Sequence, residues 1–190
     1  MVNISVFASG SGTNFQSIVN YFSGHEHIRI NLLLSNRSGA AVLERAKKAN
    51  IDRIVFTRDD LFSTGKVLDI LKSYNTHFIV LAGFLWKIPD NIIKAYPDKI
   101  VNIHPALLPK YGGKGMYGMR VHEAVISSGE KYSGITIHIV NEEYDRGSIV
   151  SQHTCDVDPD DTPQSLAERI HKLEHYWYPR VIEKLVEFDS

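Results

Sequence analysis

A chain of 190 residues can bury roughly 70% of its unfolded surface around one core, so no disulfide or metal staple is required. With 21 Lys and Arg against 22 Asp and Glu the formal net charge is -1, which offers no general attraction to nucleic acid or an anionic membrane and makes any anion site local. The lone cysteine, Cys155, excludes an internal disulfide framework and any Cys-based zinc cluster and is expected to be a buried small hydrophobe; no secretory leader opens the chain and no apolar run reaches the roughly 18 residues of a membrane span, so a cytosolic protein is expected.

In chain order, residues 3–8 form a near-continuous apolar run, as in a strand covered on both faces. Ser9-Gly10-Ser11-Gly12-Thr13-Asn14 breaks it, and a helix is predicted from Asn14 or Phe15 to Phe22 with Thr13 or Asn14 as N-cap. Residues 28–35 read as a second strand, 40–50 as an alanine-rich helix, 52–56 as a short strand, 57–64 as a polar loop and 66–74 as a helix. Residues 78–82 (Phe-Ile-Val-Leu-Ala) make the most apolar strand, expected at the sheet centre; Pro89 opens a further helix, and residues 100–104 form the next strand. A loop of two prolines and three glycines covers 105–117, the texture of a lid or ligand clamp, before a helix over 118–128. Residues 132–140 and 148–157 read as an antiparallel pair, and Thr162-Pro163 caps and opens a last helix to about Val186. The alternation predicts an α/β fold: one doubly wound, mostly parallel, Rossmann-like sheet, an antiparallel C-terminal strand pair and a long C-terminal helix.

Within that frame, period-2 alternation turns Asn102 and His104 to the same side of their strand, at its carboxyl end. An amide donor beside an imidazole suits attack on a carbonyl; the competing reading is a loop-capping Asn and a core His. Gly10-x-Gly12 lacks the third glycine of a dinucleotide fingerprint, and the second strand ends in Ser35-Asn36-Arg37 rather than an acid. The backbone N–H groups of Gly12, Thr13 and Asn14 at a helix N-terminus instead suit a single phosphate, with a plain tight turn or, through Arg37, NADP as rivals. His171-Lys172-Leu173-Glu174-His175 matches a zinc-peptidase pattern, but little chain follows to supply another ligand, so no metal is expected there. Asp145, in Glu142-Glu143-Tyr144-Asp145-Arg146-Gly147, is by itself an ordinary turn aspartate or a catalytic carboxylate.

Asn102-Ile103-His104-Pro105-Ala106-Leu107-Leu108-Pro109, Asp145 before Gly147, Ser9-Gly10-x-Gly12-Thr13-Asn14, Leu81-Ala82-Gly83-Phe84 and Glu174-His175-x-x-Tyr178-Pro179 together resemble the folate-dependent formyltransferase superfamily over nearly the whole chain, and within it the purine-biosynthetic branch acting on glycinamide ribonucleotide. The resemblance implies one formyltransferase domain over 1–190, with a ribonucleotide-binding half in 1–100 and a catalytic, folate-binding half in 101–190. It implies Asn102, His104 and Asp145 as the catalytic group, with Asp145 favouring a cationic His104. Gly12, Thr13 and Asn14 would hold the substrate phosphate and Glu174 the ribose hydroxyls, while Leu85, Trp86, Lys87, Ile88 and Asn102 would border the folate. The formyl donor would be 10-formyltetrahydrofolate, with no metal, nucleic acid or membrane partner and a monomeric or homodimeric state. Trp86-Lys87 stands where family members often carry Arg, His171 where some carry Gln, and the loop from Gly112 to Gly118 resembles one branch only. Alternatives are a formyltetrahydrofolate hydrolase, for which no preceding regulatory domain is seen, and a tRNA formyltransferase, for which no basic C-terminal domain is seen. A sugar-nucleotide formyltransferase, an NADP-dependent oxidoreductase and a non-catalytic sensor of phosphorylated metabolites stand beside them.

Overall fold

Uninterrupted apolar runs become strands buried on both faces. In the computed structural model, which describes residues 1–188, these are β1 (Val2–Phe7), β2 (Ile28–Ser35), β4 (Phe78–Leu81) and β5 (Ile100–His104), with a short β3 (Asp52–Val55) and the later β6 (Tyr132–Ile139) and β7 (Ile149–Asp156). The helices are α1 (Thr13–Tyr21), α2 (Val42–Lys48), α3 (Arg58–Phe62), α4 (Lys66–Ser73), α5 (Asp90–Ala95), α6 (Met119–Ser127) and α7 (Pro163–Phe188). The seven strands form one sheet of order β3-β2-β1-β4-β5-β6-β7, parallel as far as β5 and antiparallel from β5 to β7. The residues 78–82 strand is central, as its composition predicts.

Alternation splits the core in two. Ile4, Val6, Val80, Val101 and Ile103 face α1, α6 and α7 through Phe15, Ile18, Val125, Leu166, Tyr178 and Ile182. Phe7, Ile79, Leu81 and Ile100 face the other layer, with Leu61, Val67, Leu71 and Ile92 from α3, α4 and α5. Because β1 and β4 are neighbours while the chain builds outward from both, their carboxyl ends diverge into a crevice, the usual ligand position of an open α/β sheet.

The long helix begins as predicted: Ser165 N–H donates to Thr162 Oγ1 at 3.1 Å and Thr162 N–H to Ser165 Oγ at 2.9 Å, with Pro163 at the first turn. Farther along, the buried Tyr178 hydroxyl donates to the carbonyls of Leu81 at 2.9 Å and Val101 at 3.0 Å, clamping α7 over β4 and β5. Three local expectations are corrected. Residues 57–64 are not simply a loop but hold α3, nucleated by a capping box of Thr57 and Asp60 and by burial of Leu61. Gly12 rather than Thr13 or Asn14 caps α1, in a left-handed conformation without a side-chain bond. Cys155 is half-buried, since it lies on the edge strand β7. No helix among the described residues is long and apolar enough to cross a membrane.

Candidate active site

A cleft of about 660 Å³ opens over the carboxyl ends of β1, β4 and β5. Its first wall is the turn from β1 into α1. Gly12 has φ 75°, and a Cβ there would collide with Val42, so only glycine fits both the torsion and the packing. The turn is pinned by Val42 N–H to the Gly10 carbonyl at 3.1 Å and by Arg45 Nε to the Ser11 carbonyl at 2.8 Å. It presents the N-terminus of α1, with the N–H groups of Thr13 and Asn14, toward the cleft. Ser9 joins this wall to the next: its hydroxyl donates to Asn36 Oδ1 at 2.7 Å and accepts the Leu85 N–H at 3.0 Å. Leu85, Trp86, Lys87 and Ile88 all line the cleft, with Trp86 set edge-on to Phe56 and Phe84.

Asn102 and His104 emerge together at the end of β5, as alternation requires, opposite His138 and Thr136 of β6. His138 Nδ1 lies 2.9 Å from the Ile139 carbonyl, an acceptor only, so Nδ1 carries the proton and Nε2 accepts the Asn102 amide at 3.1 Å. Asn102 thereby keeps a second amide hydrogen for a ligand. His104 Nε2 donates to the Tyr111 carbonyl at 2.7 Å, and its Nδ1 faces Asp145 Oδ2 at 3.6 Å. Asp145, in a left-handed turn at φ 53°, accepts the Gly113 N–H at 2.8 Å and lies 3.7 Å from His138. These four side chains form one contiguous group, so the carboxylate that looked like a plain turn residue converges with Asn102 and His104.

Burial pushes the His104 imidazole below its ordinary range, and the attraction of Asp145 and the bond to Tyr111 only partly offset it. Asp145 thus favours the cationic form, as expected, but burial is the larger effect. Burial by itself would raise the Asp145 carboxyl, yet His138, the charge of His104 and the Gly113 N–H together hold it below the usual carboxylate range. The Gly113 bond is the direct one, because His138 spends both ring nitrogens elsewhere.

The third wall is α7. Glu174 is buried, accepts the Asn14 amide at 2.9 Å and has its carboxyl pushed up by burial to about 7. Asn14 thus spends its amide N–H on Glu174, while its Oδ1 has no hydrogen-bond partner and its backbone stays at the helix start. His171 also reaches the cleft. The rings of His171 and His175 stack at 6.1 Å, and neither belongs to a metal-sized grouping among the described residues. The one such grouping among the described residues, His25, Glu183 and Glu187, lies outside the cleft lining. There His25 Nδ1 accepts the N–H groups of His27 and Ile28, which puts its proton on the Nε2 that a metal would need.

The residue that pattern reading passed over is His138. Its signal was the strand register: an antiparallel partner of β5 had to set some side chain against Asn102. Thr136 was equally hidden. Its hydroxyl donates to the Ala106 carbonyl at 2.7 Å and accepts the Leu108 N–H at 2.9 Å, latching the loop that follows His104.

A model of the formyl transferase family matches residues 2–182. The phosphoribosylglycinamide formyltransferase of Bacillus subtilis is 36% identical over 195 residues, covering 100% of this chain and 97% of that protein. The chloroplastic phosphoribosylglycinamide formyltransferase of Arabidopsis thaliana is 42% identical over 97% of this chain, which spans 65% of that relative's length. The crystal structure of glycinamide ribonucleotide transformylase 1 from Geobacillus kaustophilus superposes with a TM-score of 0.89 at 38% identity, covering 97% of this chain and 98% of that one.

Proposed function

Because the chain belongs to the formyl transferase family, we propose that it transfers a formyl group from 10-formyltetrahydrofolate to the primary amine of glycinamide ribonucleotide, a step of purine biosynthesis. The observation that carries the reading is a single cleft holding an anion-suited helix terminus at Gly12, Thr13 and Asn14, a carboxyl at Glu174, and the joined Asn102, His104, Asp145 and His138. In this reading the phosphate sits on the α1 N-terminus, the ribose hydroxyls on Glu174, and the folate against Leu85, Trp86, Lys87, Ile88 and Asn102. The phosphate end comes from residues 1–100 and the reacting end from 101–190, with Glu174 reaching back across. A cytosolic location and the absence of a metal requirement belong to the same proposal.

The amine attacks the formyl carbon and charge gathers on the formyl oxygen. The second amide hydrogen of Asn102 meets that oxygen, with His138 holding the amide in register. His104 starts neutral, with Nδ1 free toward Asp145. It accepts the proton that the attacking nitrogen gives up and becomes a cation bridging the Tyr111 carbonyl and Asp145. It then returns the proton to the leaving folate nitrogen as the carbon–nitrogen bond breaks. Asp145 therefore stabilises a transient imidazolium rather than a standing one.

Release of tetrahydrofolate from a 10-formyl folate, followed with and without glycinamide ribonucleotide, tests the assignment. Release that requires the ribonucleotide and yields formylglycinamide ribonucleotide supports it; equal release in its absence would mean hydrolysis, and none in either case would refute formyl chemistry here.

A further inference from the structure

His122 on α6 has no task in that mechanism, yet it lines the same cleft and is only 2% exposed. Its Nδ1 is buried without a hydrogen-bond partner. A buried polar atom left unpaired is unfavourable, and at the wall of a ligand-sized cleft a polar group of the ligand can supply the missing partner. The ring lies within electrostatic reach of His171 on α7 and His104 on β5, so it stands between the Glu174 wall and the reacting end. Burial, helped by those two imidazoles, lowers it to about 4, so it is neutral under working conditions. A neutral imidazole can pair with an amide or an uncharged amine, and it does not repel the positive charge that an attacking amine acquires.

We propose that His122 is a binding residue for the acceptor substrate, its Nδ1 hydrogen-bonding the glycinamide arm between the ribose and the reacting amine. The inference rests on the function proposed above. An acceptor stretched from the Gly12 turn past Glu174 to His104 must carry its amide and amine through the space His122 borders, and those are the polar groups an unpaired Nδ1 requires. The contact would fix the direction of the amine, which is where a small displacement is most costly to reaction.

Three substitutions separate this from a purely structural role. Asn places a polar atom near the position of Nδ1, Gln near that of Nε2, and Leu neither. For His122→Leu the KM for glycinamide ribonucleotide should rise about tenfold, the size of one lost hydrogen bond, with the dissociation constant for the folate unchanged. His122→Asn should recover most of the loss and His122→Gln should not. Thermal unfolding of each variant reports folding; if the Leu variant fails to fold, the Asn and Gln pair decides alone. A folded Leu variant with wild-type KM, or Asn and Gln variants with equal losses, overturns the assignment of His122 while the wild-type enzyme remains a formyltransferase. A wild-type protein that binds no ribonucleotide overturns the functional reading itself.

Discussion

Glu174 shows how one buried carboxyl couples stability to pH. Its ordinary range lies near 4.5, and burial raises it to about 7 against a smaller opposing bond from Asn14. The folded protein therefore holds a proton that the unfolded chain releases, so this contribution is intact below about pH 4.5 and is lost as pH rises through 7, on the order of 3 kcal/mol in all. Glu174→Gln, which keeps an acceptor for Asn14, should match the wild type in melting temperature near pH 4.5 and exceed it at pH 8. Equal melting curves at both pH values would mean that Glu174 ionises freely. Asn102→Ala removes the donor to the developing oxyanion and should lower turnover about 100- to 1000-fold on a folded protein, measured as folate release. Asp145→Asn removes the charge that pulls the His104 titration upward, so besides slowing turnover it should move the acid limb of kcat/KM to lower pH; an unmoved limb would separate the two residues. Asn102 and His104 were readable together because two residues of one strand share a face whatever the surroundings. The protonation of His104 was not, because it depends on how burial weighs against the charge of Asp145, which only the fold brings beside it.

At the scale of elements, α7 is the clamp that turns three loop ends into one site. The Tyr178 hydroxyl, fully buried, ties it to the last carbonyl of β4, at Leu81, and to that of Val101 near the start of β5, next to Ala82 and Asn102. Tyr178→Phe leaves the ring packed but strips both carbonyls of that donor, so it should cost about 1–2 kcal/mol, seen as a fall of several degrees in melting temperature. A melt indistinguishable from wild type would show that the carbonyls are satisfied without the phenol. Most elements were legible because buried parallel strands are apolar throughout and because Pro89 and Pro163 mark the starts of α5 and α7. The short α3 was missed because its signal is one capping box and one buried leucine, which a polar composition masks. The α1 cap was misread because Gly12 serves by torsion and by having no side chain against Val42, a tertiary constraint.

Across the whole molecule the cleft joins Ser9–Asn14 to Glu174, so residues near both ends of the chain meet over the sheet. The mostly parallel sheet that makes this possible followed from the alternation of elements, but nothing local announced that α7 would fold back to place Glu174 beside Asn14. A ligand spanning these walls binds only when all of them are in place, so its binding energy adds to global stability. At one hundred times its dissociation constant such a ligand contributes about 2.7 kcal/mol, and for a chain of this size that should raise the melting temperature by roughly 5–10 °C. Glycinamide ribonucleotide should produce this rise without the folate, since the Gly12 turn and Glu174 are held by bonds within the chain, from Val42, Arg45 and Asn14. The corresponding nucleoside, offered at the same concentration, lacks the charge that the N–H groups of Thr13 and Asn14 are oriented to receive, and its shift should be much smaller. Equal shifts from nucleotide and nucleoside would remove the phosphate from the α1 terminus and leave the acceptor held by Glu174 and His122 alone.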